Sequence, residues 1–368
     1  MSIVDKKWLD EVWEKTDRKL SRTAVECREM LPYSTENGKW TERDVDWWTN
    51  GFWPGMMWLM YDATGNEEYR TTAERAEVLL DEALRHVTTL HHDVGFMWHI
   101  SAGANYRLTG NEASFVRNMF AANMLAGRYN IKGEFIRAWN GPGTDGWAII
   151  DCMMNIPLLY WASKETGDDR FKYIAMSHAD KTMKYHVRED GSVNHINEYN
   201  TETGELVKSH GGQGYSDESS WSRGQAWAVY GFTLSYMHTG EKRYLDTARK
   251  VANYFISAVC SDWLPRCDFR APAEPVVYDS SAGLIAANGL IELSKCVGEY
   301  EAQMYFDAAV KLVKAISDKF ADWSEDTDAI IGYGTERYGR GEHIDMVYSD
   351  YYFVEALNKL KGFNTFLW

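Results

Sequence analysis

Thr64-Gly65-Asn66-Glu67-Glu68-Tyr69 is the stretch that decides the fold, because it keeps returning. It recurs as Thr109-Gly110-Asn111-Glu112, as Thr166-Gly167-Asp168-Asp169-Arg170-Phe171 and as Thr239-Gly240-Glu241-Lys242-Arg243-Tyr244. A fainter copy is Val297-Gly298-Glu299-Tyr300. In each, a glycine follows an apolar run, where a helix C-cap belongs. Acidic residues open the next segment, where they suit the positive end of a helix dipole. Each copy predicts a turn between two antiparallel helices.

The segments before the turns (residues 51–61, 94–108, 149–162, 224–237 and 280–293) are rich in aromatic and small residues. Those after them (69–84, 169–185, 243–255 and 304–320) are amphipathic and charged, the pattern of half-exposed helices. A first helix over about 5–29 and a last over about 351–360 bring the count to roughly twelve helices in six pairs. Strand signals are few, mainly near 192–200 and 205–210. The economical arrangement is an all-α toroid of inner and outer helices in one domain, residues 1–368. An open TPR-like solenoid fits less well, because the turns are irregularly spaced.

The chain has 368 residues, a net charge of -15, 16 Trp, 22 Tyr and 7 Pro. Such acidity argues against nucleic acid or an anionic membrane as a partner. Abundant Trp is either core or a set of flat faces for sugar rings. The cysteines Cys27, Cys152, Cys260, Cys267 and Cys296 are odd in number and show no C-x-x-C pair, which fits reduced thiols in the cytoplasm. The first residues, Met-Ser-Ile-Val-Asp-Lys-Lys-Trp, lack the apolar core of a signal peptide. The apolar run from Trp147 to Trp161 is too short and polar to span a bilayer. A soluble, cytoplasmic protein is expected.

If the inner helices all run one way, their starts gather at one mouth. Those starts read Asp46-Trp47-Trp48-Thr49-Asn50-Gly51, His91-His92-Asp93-Val94-Gly95-Phe96, Ile150-Asp151, Ser220-Trp221-Ser222-Arg223, Tyr278-Asp279 and Tyr348-Ser349-Asp350. Loops carrying Arg137-Ala138-Trp139-Asn140, His195 and His210-Gly211-Gly212-Gln213 would join them. Carboxylates, His, Arg and Trp collect at this end, whereas the turn end carries only caps and surface charge.

Asp151 sits in an apolar run, four residues before Asn155, so a helix would put both on one face. A buried carboxyl has a raised pKa, as a general acid needs; the plain alternative is that Asp151 caps the helix. Pro157 either kinks that helix or begins it. Asp93 is either a cap or the second member of a carboxylate pair, the usual equipment for glycoside cleavage. His92 is either a satisfied core side chain or part of the site. No metal-ligand spacing and no cofactor fingerprint occurs. Arg223 is either a buried ion-pair member or a fork for a substrate carboxylate. Trp48, Trp139 and Trp227 are stacking candidates, each equally readable as packing.

Taken together, Asp46-Trp-Trp-Thr-Asn-Gly-Phe-Trp53, His91-His-Asp-Val-Gly-Phe96, Ile149-Ile-Asp-Cys-Met-Met-Asn-Ile-Pro-Leu-Leu159 and Trp221-Ser-Arg-Gly-Gln-Ala-Trp227 resemble the unsaturated glucuronyl hydrolases, glycoside hydrolase family 88. Tyr278-Asp-Ser-Ser-Ala282 and Asp350-Tyr-Tyr352 also fit, and the likeness runs from about residue 40 to the last helix. It implies an (α/α)6 barrel without a cofactor or metal. The implied substrate is a small oligosaccharide ending in a 4,5-unsaturated uronic acid, cut by hydration of its vinyl ether double bond. By this likeness Asp151 protonates C4 and assists water at C5, with Asp93 as the second carboxylate. Trp48, His92, Trp139, His195, Gln213, Arg223 and Trp227 match sugar-contacting positions.

Some relatives carry Ser and Lys before the last helix for sulfated fragments. Here Gly332-Tyr-Gly-Thr-Glu-Arg-Tyr-Gly-Arg-Gly-Glu-His343 departs from that pattern, and Arg337, Arg340 and His343 read as solvated charges or sulfate contacts. The alternatives are an unsaturated rhamnogalacturonyl hydrolase, a sugar 2-epimerase using histidines, and a glycan-binding protein without catalysis. His92 beside Asp93, and Gln225, favour the glucuronyl type.

Overall fold

The computed structural model describes residues 4–363 and 366–368. Its helices are α1 (Lys6–Glu26), then the pairs α2 (Phe52–Thr64) and α3 (Glu67–Leu80), α4 (Ala102–Thr109) and α5 (Glu112–Gly127), and α6 (Pro157–Thr166) and α7 (Asp169–Tyr185). They continue with α8 (Ser222–Thr239) and α9 (Lys242–Val259), α10 (Ser280–Ser294) and α11 (Glu299–Phe320), and finally α12 (Val347–Lys361). The even-numbered helices form an inner ring, closed where α12 packs against both α10 and α2. The odd-numbered ones lie outside, and α1 completes the sixth pair with α12. This is the (α/α)6 barrel.

Sequence explains which helix goes where. In α8 every residue from Ser222 to Ser235 is buried, so the helix needs no polar face. In α9 the buried set is Tyr244, Thr247, Ala248, Val251, Ala252, Phe255 and Val259, a single stripe at helical spacing. Gly65, Gly110, Gly167 and Gly240 end inner helices at φ of 69, 73, 70 and 71°, a region costly for any residue with a Cβ. Asn66, Asn111 and Asp168 then cap the outer helices through their side chains, worth about 1 kcal/mol each. The fifth copy departs: Gly298 has φ -67° and is the N-cap of α11, after a longer link from Ser294.

Two inner segments are not continuous helices. Residues 94–108 form a π turn, Gly95–His99, followed by α4. Residues 149–162 form a 3-10 turn, Ile150–Met154, followed by α6 with Pro157 in its first turn. The cause is close approach between the two segments: a Cβ on Gly95 would lie 2.7 Å from Asn155 Cα. Asp151 and Asn155 therefore do not share an α-helical face. Nor does Asp151 cap α6, whose N-cap is Ile156 with no side-chain bond.

Short strands decorate the ring. β1 (Pro32–Glu36) pairs with β2 (Lys39–Glu42), and β3 (Tyr129–Asn130) with β4 (Phe135–Ile136). β5 (Trp147–Ile149), β6 (Ile196–Tyr199) and β7 (Leu206–His210) form an antiparallel sheet in that order. It delivers Asp151 and His195 to the same end of the barrel.

The interior of the ring beneath this end is filled. Trp368 is 3% exposed, lies parallel to Tyr352 at 2° and meets Phe96 and Tyr351 edge-on. Its Nε1 donates to Glu355 Oε1 at 2.9 Å. Among the described residues, no helix is long and apolar enough to cross a membrane, and all five cysteines are unpaired.

Candidate active site

The starts of the inner helices line one cavity of about 400 Å³, walled by Trp47, Trp48, His91, His92, Asp93, Asp151, Trp221, Arg223 and Tyr348. Loops add Tyr33, Trp139, Gln213, Glu336, Arg337 and Arg340. The common direction of the inner helices thus gathers the polar starts, as the sequence pattern requires.

Asp93 is nearly buried and well partnered. Asn155 Nδ2 donates to its Oδ1 at 3.0 Å, while His91 Nδ1 and His92 Nε2 lie 3.3 and 3.4 Å from its Oδ2. Burial pushes this carboxyl up, but His92, His91 and Asn155 outweigh it and hold it below its usual range. His92 itself is kept neutral, its pKa lowered to about 4 by burial. Asn155 also accepts from Phe96 N at 2.8 Å, so it ties the π turn to the 3-10 turn.

Asp151 has the opposite environment. Its Oδ1 is buried with no hydrogen-bond partner, and its side chain is 15% exposed. Burial first, then the charge of Asp93, raises its pKa to about 8, with Arg223 opposing. At neutral pH one carboxyl is protonated and its neighbour ionised, the division an acid and its electrostatic partner require. His195 Nε2 lies 3.7 Å from Asp151 Oδ1. Asp151 is thus at the cavity beside His195, the reverse of what a histidine-based epimerase needs.

Arg223 is the buried ion-pair member, and it also borders the cavity. It is 1% exposed, pairs with Asp279, and donates to the Thr335 and Glu336 carbonyls at 2.6 and 2.8 Å. Those bonds commit three of its five N–H donors, so it is no free fork; its charge and remaining edge serve the cavity. Asp350 is spent on the N–H groups of Ile330 and Ile331. Trp227 does not line the cavity: it is fully buried beneath it against Phe96 and Tyr352. Trp48 and Trp139 do line it.

Arg337 and Arg340 are cavity residues and not merely solvated charges, whereas His343 is used by Tyr278 N at 3.0 Å. Tyr33 and Glu336, joined at 2.6 Å across 303 positions, escaped sequence reasoning: Tyr33 sits in no motif, and in the 332–343 segment only Arg337, Arg340 and His343 stand out. Only the aromatic position of Tyr33 in an alternating segment hinted at it. His91, His92 and Asp93 are the residues that could hold a cation among those described, with ligand atoms within 4.8 Å of one another.

The profile of Glycosyl Hydrolase Family 88 matches residues 17–262. The chain belongs to this family. It is 36% identical over 359 residues to an unsaturated glucuronyl hydrolase of Bacillus sp. (strain GL1), covering 95% of each chain. It is 32% identical to an unsaturated chondroitin disaccharide hydrolase of Streptococcus pyogenes serotype M1, covering 88% of this chain and 84% of the relative. A crystal structure of the unsaturated glucuronyl hydrolase responsible for glycosaminoglycan degradation in Bacillus sp. GL1 superposes with a TM-score of 0.92 at 33% identity, over 96% of this chain and 97% of that one. As a family 88 member, the chain is a glycoside hydrolase.

Proposed function

We infer that this glycoside hydrolase removes the 4,5-unsaturated uronic acid from the non-reducing end of lyase-generated glycosaminoglycan fragments. The names of its relatives, unsaturated glucuronyl and unsaturated chondroitin disaccharide hydrolase, support the substrate class. The observation that carries the reaction is the split between Asp151, raised to about 8, and Asp93, held low.

In the proposed reaction the Asp151 carboxyl gives its proton to C4 of the vinyl ether, leaving positive charge on C5 shared with the ring oxygen. Water adds at C5 and its proton returns to Asp151, so the carboxyl is regenerated. The C5 hemiketal opens by breaking the bond to the ring oxygen, giving a ketone at C5 and a hemiacetal at C1. That hemiacetal collapses to an aldehyde and expels the rest of the saccharide. Asp93, fixed by Asn155 and His92, holds negative charge near the developing cation. Trp48 and Trp139 offer faces to the sugar, and Gln213 and Arg223 polar edges. The cytoplasm as its place of work rests on the unpaired cysteines.

The test is incubation with unsaturated disaccharides from chondroitin, hyaluronan, heparin and pectin, following the absorbance of the conjugated double bond. Loss on a glycosaminoglycan disaccharide is expected. Loss on the pectin disaccharide alone would transfer the chain to the rhamnogalacturonyl type, and no loss on any would end the hydrolase reading.

A further inference from the structure

Two buried polar atoms without partners face each other across 3.7 Å: Asp151 Oδ1 and His195 Nε2. Which of them carries hydrogen is decided on the far side of the imidazole. His195 Nδ1 has two backbone neighbours, Gln213 N at 3.0 Å and the Gly211 carbonyl at 3.2 Å. It cannot serve both, because the first requires a lone pair and the second an N–H. Among the described residues Gln213 N has no other acceptor, and a buried amide left without one is costly. The Gly211 carbonyl already accepts from Gly214 N at 2.9 Å. The amide therefore wins: Nδ1 accepts, and the hydrogen of the neutral ring sits on Nε2.

The Gly211-Gly212-Gln213 loop fits this ring tightly. Gly212 has φ +58°, and a Cβ there would fall 2.2 Å from His195 Nδ1. Burial also keeps the ring neutral, with its pKa lowered to about 3, so no second hydrogen joins Nδ1 at working pH.

We propose that His195 is a positioning residue, locked as the Nε2–H tautomer by the Gln213 backbone, which donates to Asp151 Oδ1 and so leaves the acidic proton on Oδ2. This rests on the proposed role of Asp151 as the acid. Oδ1 is the enclosed oxygen, so the exposed part of the carboxyl meets the cavity through its other side. The 3.7 Å gap is longer than a hydrogen bond, and catalytic bonds commonly tighten only when substrate arrives. The remaining groups around Asp151 do not compete for this task. Asp93 is ionised and raises its pKa, Arg223 lowers it, Tyr352 on α12 senses its charge, and Cys152 beside it is held as a neutral thiol by burial.

The test combines kinetics with the tautomer itself. His195→Ala removes the donor to the Asp151 carboxylate, so kcat should fall about 100-fold while KM changes little. The alkaline limb of the rate profile should move up by about one pH unit. His195→Gln, whose amide can still donate, should keep the limb near its wild-type position. A His195→Ala enzyme with unchanged kcat and limb, and only a raised KM, would make His195 a plain sugar contact and overturn the proposal. Nitrogen-15 NMR of the wild-type protein, with His195 assigned by its loss in His195→Gln, reads the tautomer without any substrate. Hydrogen on Nε2 alone is expected; hydrogen on Nδ1 would overturn the lock even if every variant misfolded. Wild-type inactivity towards all the unsaturated disaccharides would instead remove the functional reading, leaving the tautomer measurement standing.

Discussion

Asp93 and Asp151 are the same chemical group placed in two surroundings, and their difference sets what each can do. Replacing Asp151 by Asn should lower kcat at least about 10³-fold while a substrate analogue still binds within a few-fold, as titration calorimetry would check. Activity should depend on pH with a definite sign. In the proposed reaction Asp151 works protonated, so the rate should fall as pH rises through about 8; Asp93 works ionised there, so a second loss should come at acid pH. The folded-state pKa of Asp151 lies above its unfolded value, so its contribution to stability is complete below the ordinary carboxyl range and lost as pH rises through about 8. Thermal melts should therefore show Asp151→Asn gaining on the wild type as pH rises from the ordinary carboxyl range to about 8, and no further above it. Sequence allowed the acid reading of Asp151, but the residue taken alone read more readily as a cap. The choice depends on whether an acceptor bond forms at a helix end, and the 3-10 turn moves that end to Ile156.

At the level of elements, local chemistry was legible and tertiary chemistry was not. Glycine at a positive φ acts within a few residues, with an Asn or Asp cap after it in three cases, so four of the five turns could be read directly. The breaks in the inner segments could not, because they arise where Gly95 meets Asn155 across 60 positions' worth of chain, roughly the span of a helical pair. This contrast predicts two outcomes. Asn66→Ala, at an exposed turn, should cost about 1 kcal/mol in denaturant titration and leave activity intact. Gly95→Ala forces a Cβ against Asn155 backbone at 2.7 Å, costing roughly 1–3 kcal/mol. It should also lower kcat, because Asn155 is the bond that holds Asp93 Oδ1. Equal activity loss in the two variants would contradict this division.

Over the whole molecule, the ring's helix count was readable from its rhythm, but its contents were not. The packing of Trp368 against Phe96, Tyr351 and Tyr352, like the Tyr33–Glu336 bond, joins parts of the chain with no shared sequence signal. Trp368→Ala should cost about 3–5 kcal/mol by opening a hole beneath the cavity floor. A chemical denaturation curve would measure it, and near-native stability would mean the floor stands without that indole.

The stacked indole and tyrosine beneath the cavity floor make the cavity a cul-de-sac. A polymer cannot thread through it; only a terminus can back in, react and withdraw. By the proposed reaction, the saccharide that leaves has lost its vinyl ether and with it any reason to return. Each visitor is thus a single-use ticket, and the throughput of such an enzyme is governed by how fast lyases upstream cut fresh ends.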